Sequence, residues 1–115
     1  MKTFTLHILR HGLTKGNLEG LYIGHTDTEL CPSGKEQLIQ MKKEFAYPES
    51  KFVFSSPLKR CLQTAEILYP DVKPIIIDGL IEYNFGSFDG KSAAELYEKQ
   101  PLFAPWLAGQ EGVAP

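Results

Sequence analysis

An apolar run over residues 3–9 carries branched side chains and stops abruptly at Arg10-His11-Gly12. Such a run reads as a strand buried on both faces, the habit of a parallel sheet. The rest of the chain repeats the arrangement. Ser33-Gly34-Lys35-Glu36 has capping-box spacing, and Leu38, Met41 and Phe45 follow at helical intervals, so a helix is expected to end before Pro48. Lys51-Phe52-Val53-Phe54 reads as a second strand. Ser56 is a good N-cap and Pro57 a good first helical residue. Leu58, Cys61, Leu62, Ala65, Leu68 and Tyr69 then form an apolar stripe that Pro70 stops. Pro74-Ile75-Ile76-Ile77 is a third strand, and 78–90 a loop with three glycines. Ser92-Ala93-Ala94-Glu95 opens a short helix that stops near Pro101. Strands alternating with helices predict an α/β fold with a mainly parallel sheet. At 115 residues the chain is sized for a single domain, 1–115.

In such sheets ligands collect at the carboxyl ends of the strands. Arg10 and His11 follow the first strand, Ser55 and Arg60 the second, and Glu82 the third. The pattern therefore predicts one shared site. Arg10 offers a planar fork of donors that fits phosphate oxygens. Lys59 and Arg60 lie in the first turn of a helix, where cations are disfavoured unless an anion binds nearby. His11 is the candidate nucleophile, provided a backbone carbonyl holds its other ring nitrogen as a donor; the turn at Gly12 can bring one close. Glu82 is the candidate proton donor to the leaving oxygen and the later activator of water. Asn17 and Thr14 are expected to bond phosphate or to fix the loop. Asp89 reads as a turn residue before Gly90. His7, in mid-strand, reads as a packed core histidine. His25 reads as a surface or structural residue, with substrate contact as the alternative.

Composition narrows the partners. Formal net charge is -2, so no global field draws nucleic acid, and no basic stripe is interleaved with aromatics. Any anion site must be built locally. No apolar run approaches the roughly 18 residues of a membrane span, and the N-terminus is too polar for a signal peptide. Cys31 and Cys61 lack metal-like spacing and read as reduced thiols, Cys61 buried on a helix, in a cytoplasmic protein. The three histidines lack ligand spacing, so neither metal nor cofactor is expected.

Together these residues resemble the histidine phosphatase superfamily, the phosphoglycerate-mutase-like proteins. Arg10-His11-Gly12-x-Thr14-x-x-Asn17 is similar to the first signature, and Gly24-x-x-Asp27-x-x-Leu30-x-x-x-Gly34-x-x-Gln37 to the segment that follows it. Ser55-Ser56-Pro57-Leu58-x-Arg60-Cys61-x-Gln63-Thr64-Ala65 resembles the second signature, with Cys61 where alanine is common. Leu80-x-Glu82-x-x-x-Gly86-x-x-Asp89-Gly90 resembles the third, with Asp89 where glutamate is usual. Leu21 to Asp27 looks most like small bacterial phosphatases of the α-ribazole phosphatase kind.

The resemblance implies a three-layer α/β sandwich. It implies His11 as the phosphorylated nucleophile, Arg10 and Arg60 as the phosphate clamp, Glu82 as proton donor, and Asn17, with Thr14 and Gly24, in the pocket. The implied activity is metal-free hydrolysis of a small phosphomonoester; the short spacing after Glu82 leaves little room for a mutase-type insertion. The family's second pocket histidine lies in its C-terminal half, and no histidine follows His25 here. The chain thus resembles the N-terminal part of a longer protein, its sheet incomplete. The fragment is therefore expected to associate with itself through the open sheet or to be poorly stable alone; the alternative function is a fragment that binds phosphate but turns over weakly or not at all.

Overall fold

The computed structural model describes residues 1–115. Five helices and a two-stranded parallel sheet make an α/β fold. In chain order they are α1 (Lys15–Leu18), α2 (Pro32–Glu44), β1 (Phe54–Ser55), α3 (Lys59–Leu68), β2 (Ile75–Ile76), α4 (Ala93–Lys99) and α5 (Phe103–Leu107). Phe54 pairs with Ile75 and Ser55 with Ile76. Two further bonds extend the ladder, from Ile75 N–H to the Val53 carbonyl at 2.8 Å and from Ile77 N–H to that of Ser55 at 2.9 Å. A parallel pair needs a crossover, which α3 supplies.

The helices begin where their orphan N–H groups find acceptors. Ser92 Oγ accepts from Glu95 N–H and starts α4 where expected, but the reciprocal half of the capping box is absent, the Glu95 carboxylate lying beside Lys99. The other two starts differ from expectation. Helix α2 is capped by Cys31, whose Sγ accepts from Gly34 N–H at 3.3 Å, with Pro32 in the first turn; Ser33 already lies inside the helix. Helix α3 begins at Lys59, not at Pro57, and its N-cap Leu58 has no side-chain acceptor to offer. The acceptor comes from a distant loop: Asp27 Oδ1 takes Lys59 N–H at 2.7 Å. Ser56 Oγ instead accepts from Leu58 N–H, closing a turn before the helix.

Helices α2 and α3 pack together, and Leu30, Leu38, Leu58, Ala65 and Leu68 are buried on them and on the segments that enter them. Cys61 is only half-buried, because Arg60 and Thr64, four residues apart, take the inner face of α3. A second core joins Phe88, Leu96 and Phe103, with Tyr22, Phe85 and Trp106 stacked edge-on around it. This cluster fastens α4 and α5 to the strips 21–24 and 85–92. An antiparallel bridge from Leu21 to Ser92 locks those strips together.

The expected first strand does not form. Residues 1–10 have no regular structure, and no backbone–backbone hydrogen bond involves them. Phe4 and Ile8 are 90% and 86% exposed, and His7 is exposed rather than packed. Apolar patterning states a demand for burial and does not name the partner. The two strands and the helices present here pair with neither edge of 3–9. The side chains of Phe52, Phe54, Ile75, Ile76 and Ile77 are likewise at least two-fifths exposed.

Candidate active site

The loop after the N-terminal run is wound around its own backbone. His11 Nδ1 lies 2.6 Å from the Gly12 carbonyl oxygen. A carbonyl only accepts, so Nδ1 carries the proton and Nε2 keeps its lone pair. The Gly12 N–H donates to Thr64 Oγ1 at 3.0 Å, and that hydroxyl donates to the Arg60 carbonyl at 2.7 Å. Helix α3 therefore fixes the height of the His11 turn. On the other side, Thr14 and Asn17 close a reciprocal cap over α1. Asn17 Oδ1 accepts from the Thr14 N–H and hydroxyl at 2.9 and 3.0 Å, and the Asn17 N–H donates to Thr14 Oγ1.

Arg60 is 2% exposed, and its charge has no carboxylate partner. Both ion pairs in the molecule, Lys15–Glu19 and Lys99–Glu95, lie on the surface. The guanidinium instead donates from Nη2 to the Gly24 carbonyl at 2.8 Å and from Nη1 to the Thr26 carbonyl at 2.9 Å. Two of its five N–H groups are spent on neutral acceptors, and three remain. A buried cation left without a counter-ion is costly. Placing one here makes physical sense where an anion completes the set.

The 24–27 loop that receives Arg60 is itself held tightly. Gly24 is buried, and a Cβ there would lie 2.2 Å from the Tyr83 carbonyl oxygen, so only glycine lets the two strips approach. Its N–H donates to Asp89 Oδ2 at 3.1 Å, and Thr26 Oγ1 donates to Asp89 Oδ1 at 2.8 Å. The same loop sends Asp27 to cap α3.

Arg10 and Glu82 are exposed, and Glu82 Oε1 accepts from Tyr83 N–H. Both act on His11 through space. Burial, chiefly, pushes the His11 pKa below its ordinary value; its bond to Gly12 opposes this, the cations Arg60 and Arg10 add to the lowering, and Glu82 raises it. Arg60, Arg10 and Glu82 thus all bear electrostatically on His11. The remaining expected residues form the frame. Thr14 is buried with its hydroxyl committed to Asn17. Gly24 has both backbone groups engaged. Asn17 keeps only its amide NH2 uncommitted. His25 is exposed.

Four residues do structural work at the site that their side-chain chemistry alone did not announce: Asp27, Thr64, Asp89 and Gln63, whose Oε1 accepts from Leu30 N–H at 2.8 Å. All stand inside the motifs, and their partners are mostly main-chain groups of distant segments. No group of three His, Cys, Asp or Glu side chains is placed to hold one metal ion. No helix is long and apolar enough to cross a membrane.

Residues 6–115 match the family model of the histidine phosphatase superfamily (branch 1). Over 117 residues the chain is 34% identical to a 2,3-bisphosphoglycerate-dependent phosphoglycerate mutase of Cytophaga hutchinsonii, covering 96% of this chain and 54% of that protein. It is 29% identical to an adenosylcobalamin/alpha-ribazole phosphatase of Salmonella typhimurium, covering 96% of this chain and 56% of the relative. The crystal structure of the alpha-ribazole phosphatase from Shigella flexneri is similar at a TM-score of 0.80 and 27% identity, over 93% of this chain and 55% of that one. The chain spans about half the length of the curated relatives it matches.

Proposed function

The chain belongs to the histidine phosphatase superfamily, and from that premise we propose that it hydrolyses a small phosphomonoester through a phosphoryl group carried on His11. The observation that carries this reading is the pairing of a His11 Nδ1–H fixed on the Gly12 carbonyl with the uncompensated buried charge of Arg60. Arg10 and Arg60 hold the phosphoryl oxygens and offset the charge that builds on them in the transition state. The Nε2 lone pair attacks phosphorus, the ester P–O bond breaks, and Glu82 gives its proton to the departing oxygen. Water then attacks the phosphohistidine, Glu82 takes a proton from it, the P–N bond breaks, and inorganic phosphate leaves with His11 neutral again. Arginines supply the electrostatics, and none of these steps calls on a metal.

The test is hydrolysis of a generic aryl phosphate by this chain without added metal, with rapid acid-free quenching and mass analysis of the peptide that contains His11. A phosphoryl adduct that survives alkali and is lost in acid supports the reading. Turnover without any adduct on His11 sinks it. A second reading has its own observation: His11 is the only histidine here whose ring is hydrogen-bonded, and no second histidine is paired with it or with Arg60. On that reading the chain binds phosphate and turns over weakly. Phosphate binding without hydrolysis would select it. A mutase-type reaction would hand the phosphoryl group back to substrate; the exposure of Arg10 and Glu82 to water favours hydrolysis.

The acid side of the rate profile gives an independent check. Attack needs neutral His11, so kcat/KM falls as pH drops through the His11 pKa. Burial lowers that pKa, so the midpoint is expected below the ordinary value of about 6.5. A midpoint above it would contradict a desolvated neutral nucleophile. The sign for stability is the same. The folded state binds the proton less readily than the unfolded state, so this contribution is present above the ordinary value and lost as pH falls through the lowered one.

The two free cysteines fit a reducing compartment, and a cytoplasmic location is the corresponding proposal. The exposed apolar residues of 4–9 and of the sheet are expected to drive self-association. Sedimentation should show species larger than the monomer at micromolar concentration. A single monomeric species with one cooperative melt would rule this out.

A further inference from the structure

The 24–26 strip has alternating commitments. Its carbonyls, from Gly24 and Thr26, face Arg60 at 2.8 and 2.9 Å. Its donors meet one carboxylate. Gly24 N–H reaches Asp89 Oδ2 at 3.1 Å, Thr26 N–H the same oxygen at 3.4 Å, and Thr26 Oγ1 the other oxygen at 2.8 Å. The donating amides are those of the Ile23 and His25 carbonyls, so the carboxylate acts on the Gly24 and Thr26 carbonyls by fixing the backbone that carries them. Asp89 has no cation of its own within ion-pair distance. It is anchored by the turn behind it: Gly90, at a φ of 78°, sends its N–H to the Tyr22 carbonyl at 2.7 Å. That conformation suits glycine alone.

We infer that Asp89 is a positioning residue for the anion site, its carboxylate fixing the two carbonyls that aim the Arg60 guanidinium. Asp89 touches neither substrate nor Arg60. It sets where the three remaining guanidinium N–H groups point, and so how well a planar fork meets phosphate. The inference rests on the reading of Arg60 as a phosphate ligand only for its functional consequence. The positioning itself is observable without any anion.

The experiment compares the full chain with Asp89→Asn, Asp89→Glu and Thr26→Val by NMR of the arginine side chains and by titration with inorganic phosphate. In the unsubstituted chain, Arg60 is expected to show resolved Nη protons, held from rotation by the two carbonyls. Asp89→Asn keeps the shape and removes the charge. It should average those signals while the α3 backbone resonances stay in place, and weaken phosphate binding about tenfold, the effect of roughly one charge-assisted hydrogen bond. Asp89→Glu should restore both. Should Asp89→Asn fail to fold, Thr26→Val, which removes one of the three bonds to the carboxylate, decides the matter with a smaller change in the same direction. Unchanged Arg60 signals in a folded Asp89→Asn or Thr26→Val chain overturn the inference, whatever happens to phosphate. Absence of phosphate binding by the unsubstituted chain, with Arg60 signals that still respond to Asp89, would instead overturn the proposed function and leave the positioning role standing.

Discussion

Replacing His11 with alanine is expected to reduce hydrolysis of an aryl phosphate by on the order of a thousandfold or more, with no phosphoryl adduct formed. The argument is local. The imidazole makes a single hydrogen bond, to the carbonyl of the next residue. Its loss takes away the Nε2 lone pair and little else. The Gly12 N–H still reaches Thr64, and Arg60 still reaches Gly24 and Thr26. The variant should therefore melt near the parent temperature and bind inorganic phosphate with nearly the parent affinity. Removing the half-buried imidazole even relieves a proton-linked cost at low pH, since burial disfavours its charged form. Hydrolysis within tenfold of the parent would mean that another group attacks phosphorus. Loss of phosphate binding together with activity would mean that the histidine had been part of the binding frame, contrary to the geometry.

The candidate site residues can be named from the sequence because each follows an apolar run. Arg60, Arg10 and Glu82 each bear electrostatically on His11. The N-cap at Ser92 was legible for a similarly local reason: its one partner, the Glu95 N–H, lies three residues away. What could not be read was any bond whose partner lies far along the chain. The start of α3 depends on Asp27, thirty-two positions from Lys59, so a local rule placed the cap at Ser56. Asp89 looked like a turn residue because its work is done on amides sixty-odd positions away. The N-terminal run failed for the complementary reason. Its pattern was read correctly as apolar, but strand formation needs neighbours for its backbone, and none of the segments described here provides them.

Arg60→Met is expected to abolish stabilisation by phosphate while changing the phosphate-free stability by no more than about 2 kcal/mol. Two opposing effects set that second figure. Methionine fills much of the same volume and removes a buried charge that no carboxylate neutralises, which favours the fold. It also strips the Gly24 and Thr26 carbonyls of their donors, which disfavours it. The functional effect has no such offset. An anion bound at a hundred times its dissociation constant raises the stability of the folded chain by about 2.7 kcal/mol. That increment should appear as a rise in melting temperature on adding phosphate to the parent and vanish in the variant. Arg60→Lys separates charge from shape. An ammonium keeps the positive charge but cannot span two carbonyls and an anion with a rigid fork. Its phosphate affinity should fall roughly tenfold, a partial loss between those of the parent and the methionine variant. If methionine at this position left the phosphate-induced rise intact, the buried charge would be a structural device for holding the 24–27 loop. If lysine restored the rise fully, charge alone would suffice, and the fork geometry that ties Arg60 to Gly24 and Thr26 would serve the loop rather than the anion.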